Sequence, residues 1–121
     1  MTITEIPRDE WVNFFYGFNQ RHKSWLVNTE IAGDEVRGQI QARQLPFEGI
    51  TPELADGADE IEIVVGEKPD QHLSHTVKSP TRVYLHQTAE GADESLEIRS
   101  TSGTVVLRFR SAILPEMVDG L

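Results

Sequence analysis

The sequence predicts an α+β fold: an N-terminal helix packed on a curved antiparallel sheet of about six to seven strands. The alternative arrangement is a small β-barrel plugged by that helix. Three observations carry the prediction. Four segments, Glu60–Gly66, Thr81–Gln87, Glu94–Ser100 and Thr104–Arg110, place apolar residues at every second position, and Asp34–Arg43 shows the same alternation at higher polarity. A period of two marks a sheet with one dry face. One early segment has the helical period instead. Short turns join the strands, and no second long helical pattern intervenes to make a parallel crossover.

The helix comes first. Pro7 suits a first helical turn, where its missing N–H costs nothing. Asp9 and Glu10 follow at the positive end of the helix dipole, and Arg21, His22 and Lys23 lie at the negative end. Trp11, Phe14, Phe15 and Phe18 fall at i, i+3, i+4 and i+7, which makes one apolar stripe on a helix over Arg8–His22. Such a stripe must be covered, and a sheet face is the available surface.

Trp25, Val27, Thr29 and Ile31 then alternate with Leu26, Asn28 and Glu30. A turn at Ala32-Gly33-Asp34 leads into Val36, Gly38, Ile40 and Ala42, so this stretch reads as a hairpin. Gly38, mid-strand on the apolar phase, marks a bulge or a close approach of another element. Leu45–Asp59, with two prolines and two glycines, reads as one long irregular stretch with a single helical turn at Pro52–Ala55. Ile61, Ile63 and Val65 define the next strand, and Lys68-Pro69-Asp70 the turn after it. Leu73, His75 and Val77 share a phase, and Ser79-Pro80 breaks that strand. Val83, Leu85 and Gln87 face one way, and Arg82, Tyr84 and His86 the other. Leu96 and Ile98 pair with Val105, Leu107 and Phe109 across Thr101-Ser102-Gly103.

Length and composition bound the function. A chain of 121 residues fits one domain, 1–121. It has no cysteine, so no disulfide, thiolate nucleophile or Cys-type zinc site exists. The start lacks the basic patch and apolar core of a signal peptide, and no apolar run is long enough to span a membrane; a cytoplasmic location is the expectation. Net charge is −9, which disfavours nucleic acid as a partner. Eight carboxylates lie between Glu48 and Asp70 against one cation, Lys68. The plain reading is a solvated acidic face; a docking patch for a basic partner and a cation site are the sharper ones.

No phosphate-binding glycine loop, dinucleotide fingerprint or nucleophile elbow is present, so the residues indicate no enzyme class and no cofactor. His72 and His75 are three apart on a strand, hence on opposite faces, and do not chelate one ion together. His75 shares the phase of Leu73 and Val77. It is either a buried hydrogen-bonded histidine or, with Tyr84 and Trp25, part of a ligand-binding cavity between helix and sheet, gated by the 45–59 loop. His22 and His86 read as surface residues. Glu60 and Glu62 share the wet face of one strand and simply ionise there. Arg82, Arg99, Arg108 and Arg110 lie in the C-terminal strands and form a candidate anion-binding cluster. Cross-strand pairing with Glu62, Glu94 and Glu97 is the structural alternative.

Several stretches carry a resemblance: IPRDEW, LPFEGI, DEIEIVVG, the HLSHTV and SPTRVYL junction, EGADESLEI and the terminal LRFRSAILPEMVDGL. Together they resemble a family of short uncharacterised prokaryotic proteins, known only as a domain of unknown function. The resemblance runs along almost the whole chain and implies a self-standing domain. It implies no activity and no catalytic residues. Two functions compete. One is a non-enzymatic binding or assembly module, a homodimer or a protein-partner module, for which the apolar Leu114, Met117, Val118 and Leu121 would serve as a contact element. The other is a small-molecule binder or enzyme built on the cavity near His75.

Overall fold

A computed structural model describes residues 2–33, 39–55, 57–66 and 72–110. A first strand, β1 (Thr2–Ile6), leads through a 3-10 turn at Arg8–Glu10 into α1 (Trp11–His22). Seven strands follow: β2 (Leu26–Gly33), β3 (Gln39–Glu53), β4 (Glu60–Val65), β5 (Leu73–Lys78), β6 (Pro80–Gln87), β7 (Asp93–Ser100) and β8 (Gly103–Arg110). All pairings are antiparallel, in the order β1-β6-β7-β8-β2-β3-β4-β5. The sheet is open, with β1 and β5 at its edges. The expected α+β class is therefore found, with eight strands and no closed barrel.

The helix forms as its pattern predicts. Trp11, Phe15 and Phe18 are buried, and Phe14 is half-buried. Phe18 meets Phe47 of β3 and Phe109 of β8 edge-on, with ring centroids 6.0 and 5.2 Å apart. Burying an aromatic or aliphatic side chain of this size contributes roughly 1.5–3 kcal/mol each. From the sheet, Ile50, Ile61, Ile63, Val83, Leu96, Ile98 and Leu107 complete the core. These are the alternating residues of β3, β4, β6, β7 and β8. Trp11 also anchors β1, because its indole N–H donates to Ile6 O at 2.8 Å.

Three expectations need correction. β1 was not anticipated. It pairs with β6 in the register Thr4↔Leu85, a partner about eighty residues away. Leu45–Asp59 is not a long irregular loop, and Pro52–Ala55 is not a helical turn. β3 runs on to Glu53 and pairs with β4 through Ile50↔Ile63 and Pro52↔Ile61. Proline is tolerated there because Pro52 sits at a position that owes no hydrogen bond to β4. His22 is not a surface residue; it is 2% exposed. His86 stands on the outward face, half-buried, with its Nε2 3.1 Å from Glu97 of the neighbouring strand. The expected turns at Asp34 and Lys68-Pro69-Asp70, the role of Gly38 and the C-terminal segment 112–121 lie outside the described residues.

β3 belongs to two pairings in succession. Up to Pro46 it lies beside β2, and from Phe47 onwards only β4 flanks it as a strand. The other side of Phe47–Glu53 is met by α1 and the segment after it. Ser24 N–H donates to Phe47 O at 2.8 Å, and Phe47 N–H donates to Trp25 O at 2.8 Å. Asn19 of α1 then grips Ile50: its Nδ2 donates to Ile50 O at 2.8 Å and its Oδ1 accepts from Ile50 N–H at 2.9 Å. The amide side chain does what a strand residue would do. Gly49 lies under this amide, and an added Cβ there would make ordinary contact with Asn19, 3.5 Å from Nδ2.

A single residue, Ser79, separates β5 from β6, although they rank eighth and second in the sheet. The sheet must coil to bring those ends together. Ser79 makes the corner with φ at +54°. Its N–H donates to Asp59 O at 3.1 Å and its carbonyl accepts from Thr101 N–H at 3.3 Å.

Two outcomes follow from this packing. Asn19→Ala leaves two part-buried backbone groups of Ile50 without partners and is expected to cost about 2 kcal/mol or more in chemical denaturation. Thr29 is buried with no partner for its Oγ1 among the described residues. Thr29→Val keeps the shape, removes the orphan hydroxyl and is expected to raise stability by about 1 kcal/mol in the same assay.

Candidate functional site

The outward face of β1, β6, β7, β8 and β2 concentrates the charged chemistry. Alternation places Arg82, Tyr84 and His86 there on β6, Glu97 and Arg99 on β7, Arg108 on β8 and Glu30 on β2. Arg82 and Arg99 stand directly opposite in register. Arg108 and Arg110 lie further along, where β8 meets β2. The candidate anion cluster is therefore two pairs rather than one group.

Three of the four arginines hold carboxylates. Arg82 Nη1 donates to both oxygens of Glu5, at 3.0 and 3.1 Å. Arg99 donates to Glu97 and lies 4.8 Å above the Tyr84 ring. The hydrogen bond and charge of Glu97 raise the pKa of Arg99. Arg108 donates to Glu30. Arg110 is paired with none of the described carboxylates; it lines a dimple of about 30 Å³ with Arg108, Asn28 and Gln44, room for about one water.

His75, Tyr84 and Trp25 come from three separate places. His75 is on edge strand β5, opposite Ile63. Tyr84 is on the outward face of β6. Trp25 precedes β2 and packs edge-on against His22, with centroids 4.7 Å apart. The helix side of the expected cavity is filled by Trp11, Phe15 and Phe18 against Phe47. The segment expected to gate it is mostly β3. His75 is half-buried, and that burial pushes its imidazole pKa below the ordinary 6.5.

Two arrangements were not anticipated. The first is His22 with Asp93. Nδ1 of the buried ring donates to Phe18 O at 2.8 Å, and Nε2 lies 3.0 Å from Asp93 Oδ2. Gln87 Nε2 donates to the other oxygen of Asp93 at 2.8 Å. Both ring nitrogens are committed, so His22 offers no lone pair to a ligand. It fastens the end of α1 to the start of β7. The signal was present, since His22 follows Phe18 by four residues on the apolar stripe.

The second is a cleft of about 240 Å³ at the Ser79 corner, lined by Gly57, Asp59, Thr81 and Thr101 among others. Arg8 closes a two-pronged bond on Asp59, Nε to Oδ2 at 2.6 Å and Nη2 to Oδ1 at 2.9 Å, and Ala55 N–H donates to Oδ1 at 3.0 Å. Arg8 is the main reason the Asp59 carboxyl lies below its ordinary pKa. The pair ties the end of β1 to the start of β4. It is shaped as a structural clamp, with the carboxylate oxygens already taken. No group of three or more metal-ligating side chains stands together among the described residues.

A family model described as a family of unknown function, DUF5335, matches residues 2–116. The chain belongs to this family. An uncharacterised protein of the bacterium Aquifex aeolicus is 26% identical over 118 residues, covering 96% of this chain and all of the relative. No solved structure matches. The resemblance read from the sequence is thus to DUF5335, and the match spans every strand described above. No helix among the described residues is long and apolar enough to cross a membrane.

His75 gives a testable pH dependence. The imidazole binds its proton less tightly in the folded chain than in the unfolded one. Its contribution to stability is therefore complete above the ordinary imidazole range and is lost as the pH falls through it towards the lowered value. His75→Gln is expected to flatten the fall in melting temperature between about pH 7 and about pH 5, measured against the parent chain.

Proposed function

We infer that this DUF5335 domain is a non-enzymatic assembly module that works through protein–protein contact, in its simplest form as a homodimer. One observation carries the reading. The sheet is open, and its two edge strands keep a row of backbone groups with no strand beside them among the described residues. An exposed edge is a ready template for pairing with another chain. Each edge also presents an apolar side chain to water: Ile3 on β1 is 57% exposed, and Leu73 on β5 is 44% exposed.

Other features support the same reading. The polar groups that could do chemistry are spent on structure. His22 is bonded through both nitrogens, Asp59 is clamped by Arg8, and three outward arginines hold glutamates. The solvent face of α1 adds Tyr16, 68% exposed, one turn from the exposed Val12. The segment 112–121 supplies further apolar residues close in sequence to β8.

Light scattering on the full chain, over a range of concentrations, tests the proposal. A mass that rises towards twice the chain mass with concentration is the expected result. Removal of 112–121 measures the share of that segment in the association. A monomer at every concentration, in both forms, overturns the homodimer.

A further inference from the structure

The inference rests on the assembly reading above and names its partner surface: we propose that β5 pairs with β5 of a second copy, antiparallel, about a two-fold axis through His75. The β4–β5 register runs Glu60↔Lys78 to Val65↔Leu73, and Ser79 N–H continues it by donating to Asp59 O. In an antiparallel ladder the N–H and C=O of alternate residues point to the same neighbour. Val77, His75 and Leu73 therefore turn theirs towards β4, and Ser79 turns its N–H there while its carbonyl goes to Thr101. Ser74, Thr76 and Lys78 turn theirs to the side where no described strand lies.

The β3 side of β4 supports this assignment independently. If the odd-numbered residues of β4 bond to β5, Ile61 owes nothing to β3, and the residue opposite it can lack an N–H. That residue is Pro52. Ile50, opposite Ile63, then points away from β4, where Asn19 indeed takes both its groups.

A two-fold axis normal to the sheet preserves its faces, so residues of like phase must meet. Centring it on His75 satisfies this. Ser74 meets the second copy's Thr76 as a mutually bonded backbone pair on the outer face, with the Ser74 hydroxyl donating to Glu62 of its own β4 at 3.3 Å. Leu73 meets Val77 on the inner face and gains an apolar neighbour for its exposed side chain. The two His75 rings meet in the unbonded pair, where side chains are closest.

Charge favours the same edge. The chain carries a net −9, yet Leu73–Lys78 has no carboxylate and one cation. β1, the other edge, carries Glu5, already held by Arg82. Two copies approaching through β5 thus bring together the strand on which their acidic excess is absent.

The absence of native cysteine makes the test direct. In the full chain, His75→Cys places two thiols across the axis at the unbonded pair, within the reach of a disulfide. Mild oxidation is expected to give a covalent dimer as the main species on a non-reducing gel. Lys78→Cys, on the same edge, is the control: its two copies would stand roughly 20 Å apart at about 3.4 Å per residue, and it should stay monomeric. Thr76→Pro removes a free-edge N–H without touching the β4 ladder. It should keep the parent circular dichroism spectrum while weakening self-association at least about tenfold in light scattering.

The outcomes separate cleanly. If the parent chain dimerises but His75→Cys does not cross-link and Thr76→Pro, still folded, associates normally, this interface is wrong while the assembly reading stands. Equal cross-linking by His75→Cys and Lys78→Cys overturns the register. A parent chain that stays monomeric, with no cross-link from His75→Cys, overturns both.

Discussion

The fold depends on how α1 is joined to β3. A helix laid on a sheet is normally held by its apolar stripe alone. Here the stripe of Trp11, Phe15 and Phe18 is joined by a backbone connection, the two hydrogen bonds between the Asn19 amide and Ile50. β2 leaves β3 at Pro46, and the groups of Phe47 and Ile50 would otherwise face the interior unpaired. Ser24, Trp25 and Asn19 take them in turn. Apolar burial supplies most of the energy, while the amide sets where along β3 the helix sits. His22 fastens the C-terminal end of α1 to the start of β7 through Asp93.

Much of this was legible in the sequence because one face of the sheet is dry. Alternation found β4, β6, β7 and β8 to within a residue or so at each end, and the aromatic spacing found α1 and its buried face. The failures have physical causes. β1 buries only Ile6, so TITEI carries almost no periodic signal, and its partner is remote in the chain. The second half of β3 was hidden by Pro46, Gly49 and Pro52. The prolines fit because Pro46 offers its carbonyl to Gly66 and Pro52 sits where no donor is required, and Gly49 lies in the strand between them.

Site residues were harder to read than strands, for a related reason. Phase gives the face a side chain occupies and says nothing about what else reaches it. Arg82 and Arg108 share the outward face, but their partners Glu5 and Glu30 come from strands whose neighbours in the sheet could not be ranked from sequence. His22 shows the reverse case. Its helical phase was plain, and the charged residues beside it made it read as the wet end of a helix.

The Ser79 corner constrains how this chain can vary in length. Most turns here can gain or lose a residue, because the change is absorbed in the loop. Between Lys78 and Pro80 no slack exists: the residue at the bend is bonded on both sides and belongs to two ladders. Adding or removing one residue there would force one of the strands to slip by a single place. A slip of one turns every side chain of that strand over. Val83 and Leu85 would then be in water and Arg82 and Tyr84 in the core, so single-residue insertions and deletions belong at the Glu90–Ala92 turn instead.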